Sequence, residues 1–366
     1  MSTQFKILLV ALAICVISVF TIYSTTFDRE NAAEKEIYKR QIIWIFIGVI
    51  FYLLFSNLPY RKFWDWIYAI YIVVILLLVF VLVLGAVRMG AQRWLKLVWL
   101  NFQPSELAKL TVIIMLARYF SQRSMYSIWN SPNYFGIIRG LILPFFIAAL
   151  PMLLIIKQPD LGTSLLIFFV FLCMIYLARV NMKYLIIFMV FLLVCLPGFW
   201  HILKDYQRDR LLVFLNPDID PLGAGYTVIQ SKIAVGSGGL FGRGWLGGTQ
   251  SQLHFLPEAH TDFIFSGFAE EWGFLGVCVL LSLYLFLLKL CLDSAEKEHD
   301  RFGRLLAFGI TSMLAIQIFI NIAMTVGLAP VVGIPLPLLS YGGSSILMVF
   351  ISLGIIANID KNRSIF

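Results

Sequence analysis

The carboxylate best placed to do chemistry in this sequence is Asp262, in the segment HTDFIF. It lies where a long polar segment meets an apolar helix, so Phe263 and Phe265 can exclude water from it while the polar side stays open. Partial desolvation raises the pKa of a carboxyl group toward a value that suits a general base. An acidic residue at a helix start also has a structural use, because it interacts favourably with the helix dipole. The surrounding residues must decide between these interpretations.

Cationic side chains recur in the polar segments that could share a surface with that aspartate. The set is Arg93 in AQRW, Arg208 and Arg210 in YQRDR, Lys232 in QSK and Arg243 in GRG. Glycines cluster between Gly223 and Gly248 in the same part of the chain. Cations beside closely approaching backbone N–H groups are what a phosphate or pyrophosphate needs. Walker and Rossmann nucleotide-binding patterns are absent from the sequence.

A few other ionisable residues lie in or beside apolar segments, where each costs about 2.5 to 3.5 kcal/mol at a helix centre and calls for a reason. Glu106 and Lys109, spaced i,i+3, form either a self-neutralising pair or a polar groove. Asp160 in KQPDLG is either a turn and capping residue or part of a site. Glu270 and Glu271 are two helical turns from Asp262, about 12 Å, which predicts hydrogen bonds or a salt bridge within the bundle.

The elements that position these residues are membrane helices. The chain has 366 residues, of which 60% are hydrophobic and 13% charged, and this excludes a water-soluble globule. Apolar runs long enough to cross a hydrocarbon core about 30 Å thick recur along the chain. Apolar windows predict an all-α polytopic protein with ten spans near 5–24, 41–58, 66–87, 105–121, 138–156, 162–179, 183–200, 263–291, 304–328 and 343–359.

The chain is predicted to be a single membrane domain over residues 1–366. An even number of spans places both termini on one side, and the excess of Lys and Arg in segments on that side predicts that it is cytoplasmic. Residues 201–262 then form one large extracytoplasmic loop between the seventh and eighth spans. The formal charge of +8 fits basic cytoplasmic loops and gives no reason to expect nucleic acid as a partner.

Several longer motifs resemble one protein family. They are GAQRWL with FQPSELAKL, QPDLGTSL, the QRDRLLVFLNPDIDPLGAGYTVIQSKIAVGSGGLFGRGWLGGTQ block, FLPEAHTDFIF with AEEWGFLG, and GIPLPLLSYGGSS. In this order over residues 88 to 345, they resemble the SEDS family (shape, elongation, division and sporulation). Within the family, LHFLPEAHTDFIF and the nearly absent cytoplasmic extension at the start resemble the elongation members more than the division members.

The resemblance implies a peptidoglycan glycosyltransferase that polymerises lipid II, the undecaprenyl-pyrophosphate disaccharide pentapeptide. It also implies work on the outer face of the cytoplasmic membrane, with a class B penicillin-binding transpeptidase and other elongation-complex membrane proteins as partners. The aspartate proposed as catalytic in the family falls on Asp262. The glutamate and lysine of the family's PSELAK motif fall on Glu106 and Lys109, and the acid of its QPDLG motif falls on Asp160.

In this reaction a sugar hydroxyl attacks the anomeric carbon of a second lipid-linked disaccharide and expels undecaprenyl pyrophosphate. Asp262 is the predicted general base, and Arg93, Arg208, Arg210 and Lys232 are candidates for pyrophosphate contact. Glu106, Lys109 and Asp160 would line the groove or help to hold Mg²⁺ or Mn²⁺, with Glu106 and Asp262 as the candidate metal ligands. No organic cofactor is expected.

Three alternatives remain open from the sequence. A lipid II flippase would also need polar residues within spans, but it would perform no covalent chemistry. A non-catalytic scaffold for the transpeptidase would leave unexplained the cations that are predicted near a carboxylate. A division-type polymerase would share the chemistry and differ only in its cellular role.

Overall fold

The structure is a computed structural model that describes residues 2–27, 35–88, 91–97, 100–122, 137–202, 205–221, 223, 225–253 and 255–362. The gaps at 203–204, 222, 224 and 254 fall within the predicted large loop. The described chain is dominated by helices, which confirms the predicted all-α membrane fold.

Thirteen α-helices are found in the described residues. They are α1 (Thr3–Thr26), α2 (Ile37–Asn57), α3 (Arg61–Leu84), α4 (Pro104–Ser121), α5 (Leu143–Lys157), α6 (Leu161–Leu177), α7 (Met182–Ile202), α8 (Asp205–Leu215), α9 (Tyr226–Ser237), α10 (Thr249–Gln252), α11 (Ile264–Glu296), α12 (Arg301–Thr325) and α13 (Gly343–Asn362). A π-helical turn at Ile138–Ile142 leads into α5 and a 3₁₀ turn at Pro217–Ile219 follows α8.

Seven of the described helices are long and apolar enough to cross a bilayer, and two shorter apolar stretches, Leu161–Leu177 and Met182–Cys195, accompany them. The protein is therefore a multi-pass membrane protein. The helix at Pro104–Ser121 coincides with the predicted fourth span, but it carries Glu106, Lys109 and Arg118 within 18 residues. The count of ten spans stays a prediction.

The two ends of the described chain meet at one end of the bundle. The side-chain amide of Gln4 donates to the carbonyl of Ala357 at 3.0 Å, and the Tyr52 hydroxyl donates to the carbonyl of Gln4 at 2.7 Å. The opposite end of α1 lies near the segments that follow α9, where Gln252 Nε2 donates to the carbonyl of Ser24 at 2.9 Å. Helix α1 thus runs the length of the bundle.

A small antiparallel meander, which the sequence did not predict, precedes α4. It consists of β1 (Ala86–Arg88), β2 (Ala91–Leu97) and β3 (Leu100–Phe102) in the order β1-β2-β3. The strand β2 pairs with both neighbours, with Ala86 opposite Trp94 and Leu95 opposite Phe102. Because the sheet fixes the backbone of β2, it fixes the position from which Arg93 reaches the helices.

Helix α11 is interrupted at Gly273, whose backbone (φ 63°, ψ −166°) is not helical. The interruption leaves a short segment, Ile264–Trp272, whose last carbonyl groups need other donors. The glycine-rich loop after α9 supplies them. The N–H of Arg243 donates to the carbonyl of Glu270 and the N–H of Gly244 to that of Glu271, both at 3.0 Å.

The same loop also satisfies the start of the second part of α11. The N–H groups of Phe274 and Leu275 donate to the carbonyls of Gly239 and Leu240 at 2.9 and 3.1 Å. Broken helices are tolerated in membrane proteins where other protein groups bond the freed backbone. The predicted span at 263–291 is thus two helical pieces locked together by the glycine-rich loop.

Candidate active site

Asp262 lies in the turn that enters the short segment of α11. The next three residues, Phe263, Ile264 and Phe265, are each at most 3% exposed. The Asp262 side chain itself keeps partial exposure, and no described residue donates a hydrogen bond to its carboxylate. An accessible carboxylate whose oxygens are not occupied can accept a proton from a bound molecule.

Four charged side chains act on this carboxylate. The pKa of Asp262 is raised from its ordinary value of 3.8 to about 6, chiefly by burial and next by the negative charge of Glu258. The positive charges of Arg210 and Arg93 lower this pKa, whereas the negative charge of Asp160 raises it. The structure therefore brings together three of the residues predicted from sequence with the predicted base. A pKa near 6 leaves the base ionised at neutral pH and still able to take a proton.

Glu258 is a member of this group that sequence reasoning missed. Its backbone has a positive φ of 51°, and its side chain accepts a hydrogen bond from the Thr261 hydroxyl at 2.9 Å. A signal for it was available, because FLPEAHTD places this acid four residues before Asp262. The tight turn, which only the structure reveals, brings the two carboxylates close enough to interact.

Asp160 and Arg93 form the wall on the side of α6. Asp160 caps this helix: its carboxylate accepts from the Thr163 N–H at 3.2 Å and from the Thr163 hydroxyl at 2.9 Å. Arg93 Nη1 lies 4.0 Å from Asp160 Oδ1, and the guanidinium donates to the carbonyls of Gln158, at 3.3 Å, and of Pro159. Asp160 thus has the predicted capping role and also contributes charge to the site.

A shallow groove with a cavity volume of about 20 Å³ lies beside Arg210 and Lys232. Its lining residues are Arg210, Val213, Phe214, Val228, Lys232, Gly327, Ala329, Pro330 and Val331. Arg210 Nη1 donates to the carbonyl of Val331 at 3.1 Å, which anchors it at the edge of the groove. Gly327, with a φ of 77°, has no side chain, and a Cβ there would overlap Lys232 Cε. Two cations therefore line a groove whose other side chains are mostly apolar.

The segment between α12 and α13 closes the site from the other side. Gly333 has a φ of 70°, and a Cβ placed on it would lie 3.4 Å from Asp262 Oδ2. The carbonyl of Val332 contacts Gly162 at the start of α6 so closely that a Cβ at Gly162 would overlap it. The segment therefore approaches both Asp262 and the helix that Asp160 caps.

Glu106 and Lys109 form a buried ion pair with each other. Lys109 Nζ lies 2.7 Å from Glu106 Oε1, and both side chains are 4% exposed. This geometry matches the self-neutralising interpretation of their spacing. The charged groups that act on the pKa of Asp262 are the four named above, so a role for this pair in a substrate groove stays a prediction.

Two of the predicted cations have partners away from Asp262. Arg208 Nη1 lies 3.6 Å from Asp205 Oδ1, one helical turn away on α8. Arg243 donates to the Thr249 hydroxyl at 2.8 Å. That hydroxyl in turn donates to Glu270 Oε1 at 3.0 Å. Arg243 thus belongs with Glu270, and contact between Arg208 and pyrophosphate stays a prediction.

Glu270 and Glu271 are buried and hydrogen-bonded, as their spacing predicted. They are 0% and 1% exposed. The N–H of Gln250 donates to both oxygens of Glu270, at 3.1 and 3.2 Å, and the Ser24 hydroxyl donates to Glu271 Oε1. This second cluster stabilises the contact between α1, α10 and α11.

Within the described ranges, no group of three His, Cys, Asp or Glu side chains is arranged to hold a metal ion. Glu106 is already neutralised by Lys109. The residues therefore do not fit a cation held by protein ligands alone, and divalent metal binding at Glu106 and Asp262 stays a prediction.

Comparison with known families identifies the group to which this arrangement belongs. The family model described as a cell cycle protein (FtsW, RodA and SpoVE) matches residues 3–365. The chain belongs to the SEDS family. The match covers the whole described structure except its first residue, so the fold and the site both lie inside the family region.

Curated relatives of this SEDS protein carry enzymatic names. The peptidoglycan glycosyltransferase MrdB of Escherichia coli K12 is 41% identical over 97% of this chain and 93% of its own length. The peptidoglycan glycosyltransferase RodA of Treponema pallidum is 32% identical over 98% of both chains. A probable peptidoglycan glycosyltransferase FtsW of a Geobacter strain is 38% identical over 88% of this chain and 86% of its own length.

Solved structures agree with the fold. A chain of a peptidoglycan synthase complex, studied for the coordination of polymerization and crosslinking, superposes with a TM-score of 0.80, at 32% identity over 98% of both chains. The rod shape determining protein RodA of Thermus thermophilus superposes with a TM-score of 0.70, at 28% identity over 98% of this chain and 97% of its own.

Proposed function

We propose that this SEDS protein is a peptidoglycan glycosyltransferase that polymerises lipid II during cell elongation, with Asp262 as the general base. The observation that carries the proposal is the accessible Asp262 carboxylate, free of hydrogen bonds from described residues, beside Arg210 and Arg93. The names of the MrdB and RodA relatives support the reaction class. Since FtsW relatives match as well, the elongation role is the more specific part of the proposal.

The proposed reaction forms one C–O bond at the anomeric carbon and breaks another. A hydroxyl oxygen of one lipid-linked saccharide attacks the anomeric carbon of another, and its proton passes to Asp262. The new C–O bond forms as the bond from the anomeric carbon to the pyrophosphate oxygen breaks. Undecaprenyl pyrophosphate leaves with the electron pair of that bond. Cations placed at the leaving oxygens stabilise the charge that develops in the transition state.

The groove beside the base suits the leaving group. Arg210 and Lys232 offer charge-assisted hydrogen bonds to the pyrophosphate, and Val213, Phe214 and Val228 offer an apolar wall for the first part of the lipid. The charge of Arg93 acts on the Asp262 carboxylate from the side of α6. A site with cations at one wall and apolar side chains at another matches an amphipathic diphosphate better than a free sugar.

A divalent cation, Mg²⁺ or Mn²⁺, is part of the proposal only as a partner of the substrate. When bound, it would neutralise pyrophosphate charge alongside Asp262, with Glu106 as the second candidate ligand. Pyrophosphate oxygens would have to supply the remaining ligands, because the described side chains do not complete a site. Removal of the metal by a chelator tests this directly.

The proposed setting is the cytoplasmic membrane, with the termini on the cytoplasmic side and Asp262 at the outer side. The meeting of the chain ends through Gln4 and Ala357 supports a common side for the termini. The complex in which polymerization and crosslinking are coordinated supports a class B penicillin-binding transpeptidase as partner. Other elongation-complex membrane proteins are proposed as further partners on the same basis.

The deciding experiment is reconstitution of the chain with its transpeptidase in liposomes that contain lipid II. We expect glycan polymer from the wild type and none from Asp262→Asn, with both proteins inserted and bound to the partner. Unpolymerised lipid II that appears on the opposite leaflet would support a flippase instead. Normal polymer from Asp262→Asn would remove that residue from the role of base.

A further inference from the structure

Asn321 is a buried polar residue on α12 that the mechanism above does not use. Its side chain is 0% exposed, on a helix long and apolar enough to span the membrane. A primary amide in such surroundings is costly unless its hydrogen bonds are made. Where the amide finds its partners therefore indicates why this position is polar.

The partners of Asn321 lie on two separate loops. Its Nδ2 group donates to the main-chain carbonyl of Asp262 at 3.0 Å and to that of Ile334 at 2.8 Å. Ile334 follows Gly333, the residue whose Cα faces the Asp262 carboxylate. One amide group thus joins the backbone of the base to the segment that closes the site.

Ser340 makes a parallel bridge one residue earlier in the turn. Its hydroxyl donates to the carbonyl of Thr261 at 2.7 Å and accepts from the N–H of Leu336 at 2.8 Å. The N–H of the next residue, Tyr341, donates to the carbonyl of His260 at 3.0 Å.

Three consecutive carbonyls, those of residues 260, 261 and 262, are therefore each bonded to a group outside their own turn. We call the three donors, the Asn321 amide, the Ser340 hydroxyl and the Tyr341 N–H, the clasp. Bonding successive peptide groups leaves the backbone little freedom to rotate. The Asp262 side chain, which is attached to this backbone, is therefore held in one position as well.

We propose that Asn321 and Ser340 are positioning residues that hold the Asp262 carboxylate against Gly333 in the geometry needed for proton transfer. The inference rests on the proposed function, since it assigns these residues to the reaction of the same site. The alternative is that the clasp only satisfies buried polar groups and stabilises the fold. The two differ in what a shape-preserving substitution does to turnover.

The test uses Asn321→Leu, which keeps a branched side chain, adds no charge and removes both N–H donors, and Ser340→Ala, which removes the second bridge. Ser340→Thr keeps the hydroxyl and should therefore retain wild-type turnover. Thr311→Val is the matched control on α12, because the Thr311 hydroxyl donates only to the Ala307 carbonyl of its own helix, at 2.7 Å. Each variant is reconstituted with the transpeptidase, and initial polymerisation rates are measured against lipid II concentration and pH.

We expect kcat to fall about 10- to 100-fold in Asn321→Leu and Ser340→Ala, with KM for lipid II within about twofold of wild type. The acid limb of the pH profile should move to lower pH, since a released turn admits water to Asp262. The charged groups facing that carboxylate are Glu258, Arg210, Arg93 and Asp160, and they remain unchanged in these variants. Ser340→Thr and Thr311→Val should keep the wild-type kcat and profile.

Unchanged kcat and pH profile in both clasp variants would overturn the proposal, and so would an equal loss in Thr311→Val. Thermal melting of each purified protein separates loss of turnover from loss of fold, and Ser340→Ala decides if Asn321→Leu does not fold. If Asp262→Asn itself polymerises normally, the proposed function fails first. If Asp262→Asn is inactive while both clasp variants are normal, only the positioning role fails.

Discussion

The two ends of the short segment Ile264–Trp272 of α11 both carry acidic residues, but in opposite surroundings. At one end the Asp262 side chain is partly exposed, and its carboxylate receives no hydrogen bond from described residues and lies near cations. At the other end Glu270 and Glu271 are fully enclosed. Both oxygens of Glu270 accept hydrogen bonds from the loop, and Oε1 of Glu271 accepts one from the Ser24 hydroxyl. An enclosed carboxylate with occupied oxygens, such as that of Glu270, stabilises a fold, whereas a partly exposed one with unused oxygens, such as that of Asp262, can react.

The largest expected effect separates the two ends directly. Asp262→Asn should reduce polymerisation by about 10³-fold, because the amide cannot take up the hydroxyl proton. Glu270→Gln should keep polymerisation within about threefold of wild type and lower the free energy of unfolding by about 1 to 2 kcal/mol, since one of its acceptor oxygens is lost. Polymerisation rate and thermal melting of the two purified variants check this. Equal loss of activity in both would erase the distinction.

The cations of the groove should give the next largest effect. Arg210→Ala or Lys232→Ala should each reduce turnover about 10- to 100-fold, which corresponds to the loss of one charge-assisted contact to pyrophosphate. Arg208→Ala is the comparison on α8, because Arg208 Nη1 lies 3.6 Å from Oδ1 of the exposed Asp205 on the same helix. Turnover within about threefold of wild type in the same polymerisation assay would remove Arg208 from the predicted pyrophosphate contacts. A larger loss for Arg208→Ala would place pyrophosphate on the other face of this helix.

At the end of the short segment that carries Glu270 and Glu271, the interruption of α11 at Gly273 should affect the stability of the protein. Gly273→Ala forces a side chain into a positive φ and against the N–H of Gly242, and should cost about 2 kcal/mol or more. Gly236→Ala is the control, since no atom lies within 4 Å of the added Cβ. The melting temperature in detergent should fall for the first variant and stay unchanged or rise for the second. A stable Gly273→Ala protein would show that the interruption is dispensable.

The smallest expected effect is a shift in pH dependence at the reactive end. Polymerisation should decline as the pH falls through about 6, where Asp262 becomes protonated. Glu258→Gln removes a negative charge that raises the pKa of Asp262, so the acid limb should move to lower pH. Arg210→Ala removes a positive charge that lowers this pKa, so the residual activity should have its limb at higher pH. Shifts in the same direction for both variants would contradict this electrostatic account.

Much of the fold could be predicted because long apolar runs have few alternatives in a bilayer. The predicted helix starts near 343 and the helix over 105–121 agree with α13 and α4 to within a residue. The meander before α4 was missed because strands of three to seven residues carry too little pattern. The interruption at Gly273 was missed because a single glycine in an apolar run does not reveal its backbone angles.

The site was only partly predictable for a related reason. Asp262, Arg93, Arg210 and Asp160 could be found from residue type and the family motifs, and the structure does bring them together. Arg208 and Arg243 looked equivalent to Arg210 in sequence, because spacing alone does not give the direction of a side chain in a loop. Asn321 had a signal, a lone amide in a spanning helix, but its partners lie far away in sequence.

The hydrogen bonds that cross the interruption of α11 have a consequence for amide hydrogen exchange. The amides of Phe274 and Leu275 are protected by carbonyls of the glycine-rich loop instead of by their own helix. In deuterium-exchange mass spectrometry these two amides should therefore exchange whenever the loop lifts, even while the rest of α11 stays protected. The exchange rate of these two amides, measured without substrate, indicates whether the loop is docked. It can be compared in the presence and absence of the transpeptidase.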